Sequence, residues 1–479
     1  MKTVTLKLSS DNPIEVRLPD TTDVLSMSIP TPLADPDQAV EEALSHSIQS
    51  PSLREIVLKK LEQKPRARGI IVISDNTRPV PYKGKGGILW PVVKTMLDAG
   101  MSREQILVIV ATGTHRALSE AELKEMLDPR VFEAGIPIKN HDCLDSAGLV
   151  FLGTTRRGSR MYISRDYLEA DIKVLTGLVE SHFMAGASGG RKSVCPGLVG
   201  EESTFIFHGA EMLSSPSARD LVLEGNPCHE ESLEVAKRAG VDYIVNVTLD
   251  PDFRITGIFA GDLEAAHIKA VDKIKEYVSI PIQREYDLVI SHAGFVGINH
   301  YQAAKAAVVA LGALKPDGYL ILAASNSDRD PVGSANYRSV LHLLNFLGTA
   351  SFNRLIRSPD WSFIPDQWEV QMWSKLFEKI PMDRFIYYSP FLSARDYAML
   401  PGTDGNAYLE PENRYAHSLE FIPTFVEKSV ETCLAGLKRE GKDDLRIAYL
   451  NDGPYGILIP YGIPIPSGIP ISSGIPIPS

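Results

Sequence analysis

The chain has 479 residues, too many for one ordinary hydrophobic core, so two domains or three are expected. Apolar residues make up 44% and charged residues 23%, as in a typical soluble globular enzyme. The formal net charge of -11 and the pI near 5.6 argue against nucleic acid and against an anionic membrane surface as partners.

The N-terminal residues 1–19 alternate polar and apolar side chains, which is typical of a β-hairpin and unlike a signal peptide. The sequence also lacks the run of about eighteen apolar residues that a membrane-spanning helix needs. Its cysteines, Cys143, Cys195, Cys228 and Cys433, are scattered without CxxC spacing. These features predict a cytoplasmic protein in a reducing compartment.

A polar and apolar helical pattern over 36–63, interrupted by a proline, is followed by a buried-looking strand at 69–74. The strand, GIIVIS, is a continuous apolar run, as in parallel strands covered on both faces. It ends in a charged cluster that contains Asp75 and Arg78. Ligands bind at the carboxyl ends of such strands, and an arginine can hold a carboxylate or phosphate with two parallel donors. The alternative is a simple turn in which Asp75 pairs with Arg78.

The pattern repeats in the next unit, where ILVIVA at 106–111 predicts a second strand and 117–127 predicts a helix that Ser119 opens. His115 lies between them, in TGTHR, on a loop at the end of the strand. Histidine can give and take protons near neutral pH, so His115 is a candidate acid or base. The alternative is a packed or exposed histidine without chemistry.

A third strand, at 171–179, leads directly to His182. Because the carboxyl ends of parallel strands meet at one edge of a sheet, the three strand ends are expected to form one rim. The sequence therefore predicts a shared cavity lined by Arg78, His115, His182 and Lys192.

The loop GASGGRKS at 186–193 has three glycines and two serines, so its backbone N–H groups could approach an anion such as a phosphate. It differs from the nucleotide-binding pattern GxxxxGK[ST] because Arg191 stands where the second glycine belongs. No convincing aspartate completes a nucleoside-triphosphate site, so hydrolysis of ATP or GTP is disfavoured. An ordinary glycine-rich turn with a surface lysine stays open as an alternative.

Residues 230–283 predict a helix, two strands and a second helix, and a new β-α-β unit is expected from about 284. Gln302 and Lys305 lie three positions apart, so they share one face of the helix in this unit. A plain amphipathic surface is the alternative, and His300 has no assignment.

Residues 325–425 hold no informative motif, and 446–460 predicts a closing pair of strands. From there the hexapeptide repeat GIPIPS and its variants run to the end of the chain. The regular prolines exclude a helix and predict a disordered, extended tail, for which we have no function.

Five segments together resemble the lactate racemase family, the nickel-pincer-nucleotide enzymes that racemise or epimerise 2-hydroxy acids. They occur in the family's order and span most of residues 70–310, which makes the set far more specific than any one motif. The segments are DNTRP at 75–79, TGTHR at 112–116, SHFMAGASGGRKSVCPG at 181–197, FIFHGAE at 205–211 and NHYQAAKA at 299–306.

With the strand pattern, the resemblance implies an α/β fold of two domains. Each would have a mainly parallel sheet flanked by helices, and the active-site cleft would lie between them. We expect a cofactor-binding domain at 1–283, joined by a returning segment at 445–460. A C-terminal domain would cover 284–444, and the tail would be 461–479.

The resemblance also implies a cofactor, the nickel-pincer nucleotide, which is a pyridinium-3,5-bisthiocarboxylic acid mononucleotide that carries nickel. Lys192 would hold it covalently as a thioamide, and His208 would be the protein's nickel ligand, a role that suits an imidazole. Proteins of cofactor biosynthesis would then be partners. The other predicted cofactor-binding residues are Asp75, Ser188, Gly189, Gly190 and Arg191.

By the same resemblance, His115 and His182 would be the acid and base on the two sides of C2. The predicted substrate-binding residues are Arg78, Tyr301, Gln302 and Lys305. The expected function is racemisation or epimerisation of a 2-hydroxy acid by reversible hydride transfer. Lactate and larger acids both stay open as substrates. The alternative is a binding protein without catalysis that holds a phosphorylated small molecule.

Overall fold

The computed structural model describes residues 1–8 and 13–459, so the predicted tail at 461–479 lies outside the described residues. The contacts divide the chain into two compact units. We call Ile29–Lys275 the central unit, and Met1–Ser28 together with the chain from Glu276 onward the terminal unit.

The strands of the described residues are mostly short and alternate with helices along the chain. In chain order they are β1 (Lys2–Lys7), β2 (Pro13–Leu18), β3 (Asp23–Leu25), β4 (Gly69–Ser74), β5 (Ile106–Ala111), β6 (Ile138–Asn140), β7 (Leu149–Thr154), β8 (Arg160–Ser164), β9 (Ile172–Leu178), β10 (Ser181–His182), β11 (Gly186–Ala187), β12 (Tyr243–Leu249), β13 (Ile255–Gly261), β14 (Ser279–Pro281), β15 (Tyr286–His292), β16 (Leu314–Ala323), β17 (Phe385–Tyr388), β18 (Thr403–Asp404), β19 (Ile447–Leu450) and β20 (Ile457–Ile459).

The helices range from single turns to the long helix near the end of the chain. They are α1 (Pro36–Ser45), α2 (Leu53–Gln63), α3 (Leu89–Asp98), α4 (Glu120–Met126), α5 (Pro129–Glu133), α6 (Arg165–Glu169), α7 (Thr204–Phe207), α8 (Ala210–Leu213), α9 (Pro227–Ala239), α10 (Ala265–Val278), α11 (His300–Ala310), α12 (Ala335–Leu347), α13 (Thr349–Ile356), α14 (Gln367–Lys379), α15 (Ala394–Tyr397) and α16 (Ile422–Arg439).

The central unit is built on a six-stranded sheet in the order β13-β12-β9-β4-β5-β6. Its pairs are parallel except for the antiparallel edge pair β12 and β13. Alternate residues of β4 enter different cores: Ile71 and Ile73 pack in one cluster, Ile70 and Val72 in the other. Because neighbouring strand residues point to opposite faces, the sheet is covered on both sides, as the apolar run at 69–74 predicted.

The terminal unit contains a second six-stranded sheet, in the order β18-β17-β16-β15-β19-β3, and its pairs are all parallel. Helix α16 and the β1–β2 hairpin pack on one face of it, through side chains such as Phe425 and Leu6. Helices α11 and α14 pack against each other and against the sheet. Both units confirm the predicted α/β class with mainly parallel sheets flanked by helices.

The division of the chain differs from the predicted boundaries of 1–283, 284–444 and 445–460. Strand β19 pairs with β15 and β3 pairs with β19, so both ends of the chain enter the sheet of the terminal unit. The expected closing pair at 446–460 is also different, because β19 lies in that sheet while β20 pairs with β14. Among the helices that the structure describes, none has the length and apolar character needed to cross a bilayer.

Candidate active site

Three neighbouring strands of the central unit bring the predicted site segments to one edge of its sheet. Strand β4 lies between β5 and β9 and runs parallel to both. Asp75 follows β4, His115 lies on the loop after β5, and His182 lies four residues beyond the end of β9. The rim that the strand pattern predicted is therefore present in the structure.

Asp75 and His115 form a hydrogen-bonded pair, with 2.7 Å between His115 Nδ1 and Asp75 Oδ2. The other carboxylate oxygen, Oδ1, accepts hydrogen bonds from the backbone N–H of Thr77 at 3.1 Å and from its hydroxyl at 2.5 Å. Burial alone would raise the pKa of Asp75, but the hydrogen bonds from His115 and Thr77 outweigh it and lower that pKa. The ionised carboxylate keeps the proton of His115 on Nδ1, so Nε2 is the acceptor nitrogen.

His115 stays accessible, since 59% of its side chain is exposed while its partner Asp75 is buried. An oriented imidazole with an available Nε2 is the arrangement that a general base requires.

Arg78 pairs with a residue that the sequence did not single out. Its Nε lies 3.2 Å from Oε1 of Glu180, and both side chains are partly exposed. The turn of the alternative is present, since the Arg78 N–H donates to Asp75 O at 3.4 Å, but the carboxylate of Asp75 holds His115 and Thr77 and does not pair with the Arg78 guanidinium. The charge of Glu180 could have been noticed from its position just before His182.

His182 and Lys192 form the second pair, with 2.7 Å between His182 Nε2 and Lys192 Nζ. The backbone N–H groups of Met184 and Ala185 donate to His182 Nδ1 at 3.3 and 3.2 Å. In the neutral ring the proton therefore lies on Nε2, which donates to the lysine nitrogen. Burial, together with the charges of Arg78 and Arg191, sets the pKa of Lys192 well below its ordinary value. A neutral amine can accept that hydrogen bond, and it is also a nucleophile.

His208 follows helix α7 and is almost fully buried, with its ring packed edge-on against Phe207. Burial, with the nearby charges of Lys192 and His115, lowers the pKa of His208 to about 3. Its imidazole is therefore neutral at pH 7 and keeps the lone pair that a metal ligand needs. Lys192 Nζ lies 5.7 Å from the centre of the Phe207 ring, which places this histidine and the loop lysine in one neighbourhood.

The glycine-rich loop uses its backbone differently from the phosphate cradle that the sequence suggested. The N–H of Ser188 donates to Glu180 O at 2.9 Å, that of Gly190 to Asn246 Oδ1 at 2.9 Å, and that of Lys192 to Gly189 O at 3.1 Å. These three donors are satisfied within the protein, so they are not turned toward an anion.

Side chains of the loop are also directed into the central unit. Ser188 Oγ donates to Leu178 O at 2.8 Å, and Arg191 is 1% exposed. Cys195 is buried, and burial raises the pKa of its thiol to about 12. It is therefore not an activated thiolate.

The predicted substrate-binding residues of the terminal unit lie at the start of helix α11. Asn299 caps this helix by accepting a hydrogen bond from the N–H of Gln302 at 2.9 Å. The Tyr301 hydroxyl accepts a hydrogen bond from Trp368 Nε1 at 2.8 Å. Gln302 and Lys305 are half-buried. Their contact with substrate stays a prediction.

His300 is a core residue of the terminal unit. A hydrogen bond of 2.7 Å joins its Nδ1 to the Tyr337 hydroxyl, and its ring stacks on Trp373 with 4.4 Å between ring centres. It is fully buried, so it gives no information about the substrate.

Glu369 of helix α14 is a buried acidic residue that was not among the predicted site residues. Burial raises the pKa of Glu369 to about 8, against the opposing charge of Lys305. A glutamate among the apolar residues of an amphipathic helix was the available signal.

Within residues 1–8 and 13–459, no group of three or more histidine, cysteine, aspartate or glutamate side chains is arranged to hold a metal ion. The donor atoms near Lys192 nevertheless suit a group that brings most of its own metal ligands. They are the neutral imidazole of His208 and the amine of Lys192, whose pKa is lowered well below its ordinary value.

Comparison with known proteins identifies relatives of this chain. Residues 10–220 match the family model described as the lactate racemase N-terminal domain. The lactate racemase of Lactiplantibacillus plantarum is 33% identical over 348 residues, which cover 71% of this chain and 77% of that protein. The lactate racemase of Thermoanaerobacterium thermosaccharolyticum is 30% identical over 339 residues, covering 70% and 77%.

Solved structures show the same fold. The lactate racemase apoprotein from Thermoanaerobacterium thermosaccharolyticum has a TM-score of 0.79 at 24% identity, covering 96% of this chain and 100% of that one. A crystal structure of a Thermotoga maritima protein has a TM-score of 0.55 at 15% identity, covering 85% and 97%. The chain thus belongs to the lactate racemase family and is an isomerase of the racemase type.

Proposed function

We propose that this racemase inverts C2 of a 2-hydroxy acid, lactate or a related larger acid, by reversible hydride transfer to a nickel-pincer nucleotide held covalently by Lys192. The observation that carries the proposal is the half-buried Lys192 amine, whose pKa is lowered well below its ordinary value and whose Nζ lies 2.7 Å from His182 Nε2, in the neighbourhood of the neutral His208. An amine with a lowered pKa is suited to a covalent bond, and a neutral imidazole is suited to nickel.

The reaction explains why a hydride-accepting cofactor is needed. The hydrogen on C2 is poorly acidic beside an ionised carboxylate, so its removal as a hydride is an alternative to carbanion formation. When bound, the cofactor would supply the hydride acceptor. The protein must supply the base for the hydroxyl proton on each side of C2, because the hydride returns to the opposite face.

His115 suits one side, since the Asp75 carboxylate holds its proton on Nδ1 and leaves Nε2 as the acceptor. The imidazolium that forms when it takes a proton would be stabilised by the same carboxylate. Arg78 would hold the carboxylate of the substrate by exchanging its ion pair with Glu180 for the incoming anion.

His182 suits the other side once Lys192 has reacted. In this structure its Nε2 is engaged with the lysine amine. An amide-type nitrogen donates hydrogen bonds and does not accept them, so attachment would remove the acceptor for His182 Nε2–H. His182 Nε2–H would then become available to donate to the substrate oxygen only in protein that carries the cofactor.

The alternative of a phosphate-binding protein without catalysis has less support. It depended on the backbone donors of GASGGRKS, and those of Ser188, Gly190 and Lys192 are used within the protein.

The test is the intact mass and the nickel content of the protein after co-expression with the enzymes that make the cofactor. We expect a nucleotide-sized adduct on the Lys192 peptide and near-stoichiometric nickel. Lys192→Ala should lose the adduct and His208→Ala the nickel. Lys173→Ala, at another partly buried lysine with a lowered pKa, and His141→Ala, at another buried histidine, are the matched controls. Wild-type protein with neither adduct nor nickel, under conditions that load another family member, would refute the proposed cofactor.

A further inference from the structure

Asn246 holds the glycine-rich loop through a hydrogen bond to its backbone. It lies in strand β12, opposite Gly177 of strand β9, and it is fully buried among apolar strand residues. A buried amide is unfavourable unless it is hydrogen-bonded, and Asn246 Oδ1 accepts from the N–H of Gly190 at 2.9 Å. Gly190 begins the 3-10 turn Gly190–Ser193 that carries Lys192. The amide of Asn246 therefore fixes the point where this turn starts.

His267 of helix α10 supports the loop from a second side. It is 2% exposed, and its Nε2 lies 2.8 Å from Ser188 O and 2.9 Å from Arg191 Nη1. Its ring also fills the space beside Gly190, where an added Cβ atom would lie 2.8 Å from His267 Cδ2. Gly190 has a φ of +51°, a backbone conformation that glycine adopts readily.

Arg191 links two backbone positions at and beside the loop through hydrogen bonds from its side chain. Its guanidinium donates to Ala185 O at 2.8 Å and to Gly189 O at 3.3 Å, in addition to its contact with His267. It therefore joins the residue before the loop to the middle of the loop. The planar fork of arginine can make these contacts at once, and a lysine cannot.

We infer that Asn246, His267 and Arg191 are positioning residues, which we call the loop mount, and that they place the Lys192 amine against His182 for attachment of the cofactor. Arg191 was expected from the sequence to bind the cofactor. As part of the loop mount it would act on the cofactor indirectly, by holding the loop that carries Lys192. The part of this inference that concerns attachment rests on the proposed function. The part that concerns the shape of the loop does not.

The first test replaces Asn246. Asn246→Leu keeps the approximate volume and removes the acceptor for Gly190 N–H. Asn246→Asp keeps an acceptor oxygen and replaces Nδ2, which makes no hydrogen bond to the described residues, with a second oxygen, and burial favours the protonated, uncharged carboxyl there. The measurements are the adduct fraction on Lys192 after co-expression and, in protein free of cofactor, trypsin cleavage after Arg191 and Lys192. The melting temperature is recorded for each variant, and Asn406→Leu in the terminal unit is the control for loss of a buried asparagine.

We expect Asn246→Leu to load at least about tenfold more slowly than wild type, because small misplacements of a reacting group are costly. Trypsin should cut its loop while the rest of the chain stays folded. Asn246→Asp should restore loading and protection, and Asn406→Leu should show neither defect even if its melting temperature falls. Wild-type loading with a trypsin-resistant loop in Asn246→Leu would overturn the inference.

Arg191→Lys provides the second test, in case the Asn246 variant does not fold. It keeps the positive charge and loses the fork that joins Ala185 to Gly189. Reduced loading with a cleavable loop supports the mount, whereas near-wild-type loading would mean that Arg191 supplies only charge and would overturn its positioning role. If wild-type protein carries no adduct, the proposed cofactor fails, and the trypsin results still decide whether these residues position the loop.

Discussion

Replacing Asp75 by asparagine should separate the geometry of the His115 pair from its electrostatics. In the wild type, Oδ1 accepts from the N–H of Thr77 and Oδ2 accepts from His115 Nδ1–H at 2.7 Å. In Asp75→Asn the amide oxygen should stay on the Thr77 N–H, which turns the NH₂ group toward His115. Two donors would then face each other, so the imidazole should move its proton to Nε2 and lose its acceptor.

The expected decrease in kcat of Asp75→Asn has two causes, the lost charged hydrogen bond and the wrong tautomer of His115. A hydrogen bond to a charged group contributes about 1.5–3 kcal/mol, which corresponds to about 10- to 150-fold in rate if it acts in the transition state. The wrong tautomer adds to this, and the same replacement in a serine-protease triad lowers kcat by about 10⁴. We therefore expect kcat to fall by about 10²- to 10⁴-fold.

The assay is racemisation of L-lactate at saturating concentration, followed by chiral chromatography and normalised to the Lys192 adduct fraction. Asp128→Asn is the matched control, since Asp128 is an equally buried carboxylate of the central unit that pairs with Arg130. Its kcat should not change. A kcat for Asp75→Asn within about threefold of wild type would refute the assigned role of the pair, because the effect would be below 1 kcal/mol.

The same variant gives a stability measurement with a defined sign. The folded-state pKa of Asp75 is lowered, so its carboxylate stabilises the fold above the unfolded pKa of about 3.9. That contribution is lost as the pH falls through the folded-state pKa. Urea unfolding should therefore show Asp75→Asn less stable than wild type at pH 7, and the difference should shrink below about pH 4. A difference that grows on acidification would contradict the lowered pKa.

Three further variants test other contacts. Glu180→Gln frees Arg78 from a partly exposed ion pair of about 0–1 kcal/mol, so the KM for lactate should fall by up to about fivefold, and an increase would argue against Arg78 as the carboxylate ligand. Tyr337→Phe removes a buried hydroxyl that hydrogen-bonds a histidine and a tryptophan, which should reduce the free energy of unfolding by about 1–3 kcal/mol in denaturant titrations. Gly186→Ala would place a Cβ atom 2.1 Å from Val222 O at a φ of +77°, so its melting temperature should drop clearly, and an unchanged value would contradict that geometry.

Local sequence predicted much of the central sheet. Strands β4 and β5 have the predicted limits, 69–74 and 106–111, because a continuous apolar run bounded by polar residues identifies a strand buried on both faces. The shared location of the site segments then followed from the rule that parallel strands place their carboxyl ends at one edge of the sheet.

Long-range contacts could not be predicted in the same way. The acceptor of Gly190 N–H is Asn246, 56 residues later, so the loop alone could not show that this donor is used within the protein. The contact of Arg191 with His267 spans 76 residues. The sheet of the terminal unit likewise depends on pairing between β19 and β3, which no local pattern encodes.

The way the two ends of the chain enter the terminal unit has a consequence for synthesis on the ribosome. The central unit is one continuous segment, Ile29–Lys275, so all of its strands have been synthesised before the chain from Glu276 onward is made. The terminal sheet needs β19, at Ile447–Leu450, to join β3 to β15. Since domains fold as units during synthesis, we expect the central unit to fold first. The first 28 residues can join the terminal sheet only after the last strands have left the ribosome. A nascent chain that stalls between the two units would thus present a folded glycine-rich loop before the protein is complete.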